Sequence, residues 1–277
     1  MAGAPLGPPL PLAEWPTKRR AALIGVMTDI DDTLTTAGAI TPDALAALVA
    51  LRTAGLHRIA ITGRPVGWSL VFAAAWPLDA LVAENGAVAL VPVLRVDGST
   101  GVRRLYRDDA AIRAARFTRL QQVLERIETE IPGAVRATDS AGRETDIAID
   151  HGEFACLDQA RIDAVVALMR AEGLHATVSS IHVNGWFGSH DKWVGAQWVV
   201  AALLGRDLAR ETDLWAYVGD STNDQPMFAA LDNGIGVANI GRFLPAMATP
   251  PKYLALAERG AGFAEVAQAI LAARPAH

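Results

Sequence analysis

One cysteine, Cys156, occurs in 277 residues. An internal disulfide is therefore excluded, and a reducing compartment suits the chain. No His/Asn pattern of a cysteine enzyme accompanies Cys156, so it is expected as a small buried apolar residue. No apolar run reaches the ~20 residues that a membrane helix requires. The stretch "KRRAALIGVM" (18–27) imitates the start of a leader. Its apolar part is short and runs into Asp29 with no small-residue cleavage site, so the cytoplasm is the expected location. Positive charge is in deficit, with 25 Lys+Arg against 30 Asp+Glu. A broad nucleic-acid footprint, which needs a basic face, is not expected. There is no Gly-Lys-Ser/Thr phosphate loop, no histidine spacing suited to zinc and no internal repeat.

Apolar residues are present in quantity, at 51%. That is enough for a large core in one or two domains. The opening "MAGAPLGPPLPLAEWP" is rich in proline and glycine, and residues 1–20 are expected to form a mobile tail. Ala22–Thr28 is a short continuous apolar run that suits a strand buried on both faces. Thr41-Pro42 then caps and opens a helix with Leu45, Leu48, Val49 and Leu51 as its stripe, closed by Gly55. A strand at 56–63, a helix around 67–76 and a strand near 78–83 follow. This βαβαβ alternation predicts a parallel sheet with helices on its faces. After "ENGAVAL" (84–90) strand runs mix with helices near 109–130 and 157–172. An α+β insert is expected over 87–187, with Gly86, Gly185 and Gly188 as hinges. From Asp191 the α/β rhythm resumes with a helix at 192–204, a strand at 214–220 and a closing helix at 264–273. The core would comprise 21–86 and 188–277.

In open parallel sheets, ligands bind at the carboxyl ends of the strands. Four polar stretches fall at such ends: "TDIDDT" (28–33), "TGRP" (62–65), "DKW" (191–193) and "GDSTND" (219–224). Together they would bring Asp29, Asp31, Asp220 and Asp224 into one small volume. Carboxylates that close cannot all stay ionised without a cation. Oxygen ligands alone suit Mg²⁺, which often combines one or two carboxylates with a substrate phosphate. Thr62 adds a hydroxyl and Lys192 a positive charge for an anion. These are the parts of a phosphoryl-transfer site. A calcium loop does not fit, because Thr33 and Leu34 stand where an EF-hand wants Asp/Asn and glycine.

The same residues resemble the four motifs of the haloacid dehalogenase superfamily: Asp29-Ile-Asp31-Asp32-Thr33, Thr62-Gly-Arg64, Lys192 and Gly219-Asp220-Ser-Thr-Asn223-Asp224. The position of the insert, between the second and third motifs, resembles the cap of subfamily IIB. That group includes Cof-type sugar phosphatases, sucrose-phosphate, mannosyl-3-phosphoglycerate and trehalose-phosphate phosphatases, and phosphomannomutases. The resemblance implies a doubly wound, mostly parallel Rossmann-like α/β core with an inserted α+β cap of the C2B type. It implies a phosphatase acting on a small phosphorylated substrate, such as a sugar phosphate. Asp29 would be the nucleophile that forms an aspartyl-phosphate, and Asp31 the general acid and then base. Mg²⁺ would be held by Asp29, the Asp31 carbonyl and Asp220, with Asp224 and Asn223 supporting. Thr62, Lys192 and Asn223 would bind the phosphoryl group. Many relatives carry glycine where this chain has Asp32, which is expected to point away from the metal. The general acid argues against dehalogenation, since a halide leaves without a proton.

Substrate contacts outside the motifs are expected from Arg64 and from the insert. Arg143 and Asp146 lie in "GRETDIAID" (142–150). His182 and Asn184 share a strand face by period two. Trp186 and Phe187 are expected as packing. A phosphosugar mutase and a non-catalytic phosphosugar-binding module remain alternatives. The partner would be a small molecule, with no nucleic acid and no membrane, and the chain a monomer or homodimer.

Overall fold

The computed structural model describes residues 8–274. Its main strands are β1 (Gly25–Thr28), β2 (His57–Ile61), β3 (Ala80–Ala83), β4 (Val88–Leu94), β5 (Thr100–Tyr106), β6 (Asp146–Asp150), β7 (His175–Val178), β8 (His182–Trp186), β9 (Trp215–Gly219) and β10 (Asn233–Gly236). Its main helices are α1 (Pro42–Thr53), α2 (Val66–Ala75), α3 (Ala110–Glu130), α4 (Gln159–Ala171), α5 (Lys192–Leu204), α6 (Gln225–Ala230) and α7 (Arg259–Leu271).

A nine-stranded sheet runs Leu10–Pro11, Tyr253–Leu254, β10, β9, β1, β2, β3, β4, β5. All neighbours up to β3 pair in parallel, while β3–β4 and β4–β5 are antiparallel. Period-two alternation sends Val26, Ala60 and Val218 to one face and Met27, Ile59 and Tyr217 to the other. The first face buries Leu48, Val66 and Phe263 from α1, α2 and α7. The second buries Val199, Val200 and Met227 from α5 and α6. This is a three-layer α/β core, as expected. On α1, Leu48 and Leu51 are buried, whereas Leu45 and Val49 of the expected stripe face solvent.

A second sheet, ordered β7–β8–β6 with Val135–Arg136 at its edge, is antiparallel. One face carries Ile147, Ile149 and Val183 onto Leu120, Leu124, Val165 and Met169 of α3 and α4. The other face carries Asp146, Asp150, His182 and Asn184, all buried.

Four expectations need correction. The insert does not part from the core at residue 87, because β4 and β5 extend the large sheet through a tight turn at Glu84–Gly86. Apolar strand runs suit either sheet, and the backbone pairing decides. Gly185 is no hinge: it sits inside β8, paired with both Ile147 and Ala176. Where it is described, the expected mobile tail packs on the core. Residues 1–7 lie outside the described residues, but Trp15 is 1% exposed, stacks on Tyr253 and donates to Asn233 Oδ1 at 3.0 Å. Cys156 is exposed, in the loop beyond β6, and not part of the core. No helix among the described residues is long and apolar enough to cross a membrane.

Candidate active site

The site forms where β1, β2 and β9 end beside the first turn of α5. The Asp29 N–H donates to Val218 O at 2.9 Å, so the first residue past β1 is still tied to β9. The chain then turns, with Asp32 in the left-handed region at φ 55°. The Asp32 side chain points away from the acidic cluster, onto Arg259 at 3.0 Å. Asp191 caps α5 by accepting from Val194 N at 2.8 Å and sets Lys192 in the first turn. That turn lies against Gly86, where a Cβ added at Gly195 would sit 2.4 Å from Gly86 Cα. Neither position has room for a side chain.

Lys192 is 1% exposed and bridges two carboxylates, Asp29 Oδ1 at 2.7 Å and Asp224 Oδ1 at 2.6 Å. Tyr217, on β9, also donates to Asp224 Oδ1. The other Asp224 oxygen accepts from the N–H groups of Asp220 and Ser221 at 2.9 and 3.0 Å. Both Asp224 oxygens are therefore engaged by the protein. Gly219 is required by this arrangement, since a Cβ there would meet Asp224 Oδ2 at 2.5 Å. Asp220 accepts from Asn239 Nδ2 at 3.1 Å through Oδ2, and its buried Oδ1 has no partner among the described residues.

Oxygens of Asp29, Asp220 and Asp224 lie within 4.8 Å of one another. Burial pushes Asp29 up, Lys192 pulls it back, and Asp224 and Asp31 raise it again, to about 7. Burial, reinforced by Asp29 and Asp224, also lifts Asp220 well above the usual carboxylate range. Burial works against the Lys192 charge, but Asp224 and Asp29 outweigh it and raise its pKa. Three buried carboxylates face one ammonium, and one oxygen is unpartnered. This donor set of hard oxygens fits a small divalent cation.

Asp31 is the other carboxylate of the first motif. Arg64 clasps it, Nε donating at 3.0 and 3.1 Å and Nη2 at 3.0 Å. Thr62 is buried, and its hydroxyl oxygen accepts from Arg64 N at 3.1 Å, which leaves its own proton to donate. Asn223 is buried, its Oδ1 accepting from Ser221 Oγ at 2.8 Å.

The four residues singled out on the insert all reach the seam between the two sheets. Arg143 holds Asp146 through Nη1 at 2.8 and 2.9 Å and also donates to Gly63 O at 3.0 Å. Burial pushes Asp146 up, to about 8, against the pull of Arg143. Asn184 Nδ2 lies 3.4 Å from both Gly63 O and Asp146 Oδ2. His182 Nε2 is 3.1 Å from Glu153 Oε2. Trp186 is buried and donates to His190 O at 2.9 Å, so it packs as expected.

Sequence reasoning missed several participants. Glu84 is wholly buried in the core and accepts from Glu144 N at 2.9 Å and Thr145 N at 2.6 Å across the seam. Glu153 and Asp139 reach Arg64 from the insert. Asn239, in "GVANIG" just past β10, was legible as one more polar residue at a strand end. Tyr217 was legible by alternation, since it shares a strand with Gly219 two positions on.

No protein-family model matches the sequence, and no curated protein does either. Solved structures do match. The sucrose-phosphatase of Synechocystis, determined with sucrose and phosphate, aligns with a TM-score of 0.63 at 15% identity over 90% of this chain and 97% of that one. A haloacid dehalogenase-like hydrolase from B. subtilis gives 0.61 at 16%, covering 88% and 98%. A trehalose-6-phosphate phosphatase related protein gives 0.56 at 15%, covering 89% and 96%. At such identities the likeness is one of fold. The chain has the fold of the haloacid dehalogenase superfamily.

Proposed function

We propose that the chain is a Mg²⁺-dependent phosphatase that hydrolyses a small phosphomonoester, with sugar phosphates the favoured class, through an aspartyl-phosphate on Asp29. The observation that carries this reading is the placement of Asp29 between Lys192 and the Asp220 carboxylate, whose Oδ1 has no partner among the described residues. Asp29, Asp220 and the Asp31 carbonyl would hold the ion, with Asn223 in support. Asp224, saturated by Lys192, Tyr217 and two N–H groups, would position Lys192 and the loop. When bound, the ion supplies positive charge against the carboxylates and the substrate phosphate.

In the first displacement the Asp29 carboxylate attacks phosphorus and the ester P–O bond breaks. The leaving alkoxide takes a proton from Asp31. In the second, water attacks the phosphoryl group, Asp31 accepts its proton, and the bond to Asp29 breaks. Lys192 orients Asp29 and faces the phosphoryl oxygens, with the Thr62 hydroxyl donating beside it. Phosphate release would be followed across hexose, disaccharide and glycosyl-glycerate phosphates, with Mg²⁺ and with EDTA. Release that requires Mg²⁺ and vanishes in Asp29→Asn is expected. Full turnover by a folded Asp29→Asn protein would refute covalent catalysis at Asp29.

A further inference from the structure

A cavity of about 350 Å³ opens beside Asp31. Arg64 and Thr35 line it from the core, and Glu153, Phe154 and Ile181 from the insert. It is at the small end of ligand pockets, ~300–1,000 Å³. The loop that supplies Glu153 and Phe154 is held firmly. Buried Asp150 accepts the N–H groups of Gly152, Glu153, Phe154 and Ala155 at 2.9–3.1 Å. Phe154 is 75% exposed and offers an apolar ring to the space.

Arg64 is the one cation among the lining residues, and it has nothing left to give. Nε and Nη2 serve Asp31, Nη1 and Nη2 serve Glu153, and Nη1 also serves Asp139. All five N–H groups of a guanidinium are thereby committed. The next cation, Arg143, already holds Asp139 and Asp146. Arg64 and Arg143 thus face Asp31, Asp139, Asp146 and Glu153, two positive charges against four carboxyl groups. His182, against Glu153, adds at most one charge. Asp32 also lines the cavity and is paired outward with Arg259 and Arg242. Lys192 is paired with Asp29 and Asp224 at the phosphoryl end of the site, and is not among the residues lining this cavity.

We infer that this cavity receives the leaving alcohol, and that its carboxylates restrict that alcohol to uncharged polyhydroxyl groups of about monosaccharide size, with Glu153 as a specificity-determining residue. The inference rests on the phosphatase reading above. Hydroxyl groups of a polyol donate to the remaining carboxylate lone pairs, and Phe154 covers a C–H face. A second anion on the substrate, such as a carboxylate or another phosphate, meets like charge with no uncommitted side-chain cation among the described residues lining the cavity to receive it. Arg64 is committed to Asp31, Asp139 and Glu153 in this arrangement.

The test compares kcat/KM with Mg²⁺ for glucose 6-phosphate, glycerol 3-phosphate, 3-phosphoglycerate and fructose 1,6-bisphosphate. Both neutral-alcohol esters should exceed both anionic ones by about tenfold or more, in line with like-charge costs. Glu153→Gln should shrink that ratio at least about fivefold, mostly through KM, while Glu153→Asp should retain it. Calorimetric binding of the same four compounds to Asp29→Asn should give the same ranking without turnover. Equal use of 3-phosphoglycerate and glycerol 3-phosphate, or an unchanged ratio in Glu153→Gln, overturns charge selection and leaves the phosphatase reading standing. Selective binding with no phosphate release from the wild-type chain overturns the phosphatase reading and supports charge selection.

Discussion

Replacing Lys192 with methionine tests the electrostatics of the site most directly. The methionine chain fills much of the same volume but carries no charge. It removes two short charge-assisted bonds, to Asp29 and Asp224, at a position 1% exposed. What remains is a trio of buried carboxylates, Asp29, Asp220 and Asp224, with no cation among them. Removing one partner of a buried ion pair costs ~3–5 kcal/mol, chiefly because the other charge is left stranded. Two are stranded here, so the upper part of that range is expected in EDTA at pH 8, read from urea unfolding midpoints. Lowering the pH relieves the cost, because burial holds the folded pKa values of Asp29 and Asp220 above their unfolded ones. The folded state then binds more protons than the unfolded state between those values, and stability rises as pH falls. Adding Asp224→Asn deletes one stranded charge and should restore at least about 1 kcal/mol to the Lys192→Met protein. A loss below about 1 kcal/mol in EDTA at pH 8, or no recovery in the double variant, would refute the claim that Lys192 neutralises this cluster.

The wild-type protein in EDTA should lose stability as pH climbs from 5 through about 7, because Asp29 is pushed up to about 7 and Asp220 is raised as well. Both acids titrate above the unfolded value, so the folded state releases protons late and is penalised on the alkaline side. Mg²⁺ should flatten that slope, and thermal unfolding across pH with and without the ion reads both. Gly219→Ala places a Cβ 2.5 Å from Asp224 Oδ2 and should cost ~1–3 kcal/mol by overpacking; its urea midpoint and its smaller Mg²⁺-induced rise in Tm check this. Trp15→Ala removes a ring 1% exposed and its bond to Asn233, and should cost ~3–5 kcal/mol. A neutral result in denaturant would return that segment to the status of a tail.

The parts of the structure legible in the sequence are those governed by local chemistry. Apolar runs ending in aspartate marked β1 and β9, the Thr41-Pro42 pair marked the start of α1, and Asp191 marked the start of α5. Strand-end polarity was enough to gather Asp29, Lys192, Asp220 and Asp224. The rest depended on distance along the chain. Arg64 finds Asp139 and Glu153 at separations of 75 and 89 residues, and nothing in either neighbourhood signals a partner so far away. The β4–β5 hairpin reads as strands in any sheet, and only its register against β3 assigns it to the core. A proline-rich start suggested freedom, but one buried tryptophan outweighs that composition.

Arg64 gives the seam a consequence for the proposed chemistry. Asp31 receives three contacts from it, so in this arrangement Asp31 acts purely as an acceptor. To take a proton from water, the second step of the proposed cycle, Asp31 uses a carboxylate lone pair that the clasp leaves open. To give a proton to a leaving alkoxide, it must be freed from at least part of that clasp. Glu153 and Asp139 compete for the same guanidinium from the insert, with Glu153 the nearer at 2.7 Å. Burial would raise the Glu153 pKa, but bonds from His182 and Arg64 prevail and hold it down to about 2, so it keeps its charge and its hold on Arg64 near neutrality. The insert thus contributes more than a wall to the cavity. Through Glu153 and Asp139 it draws on the group that occupies Asp31, and so links the seating of the insert to the step that Asp31 is free to perform.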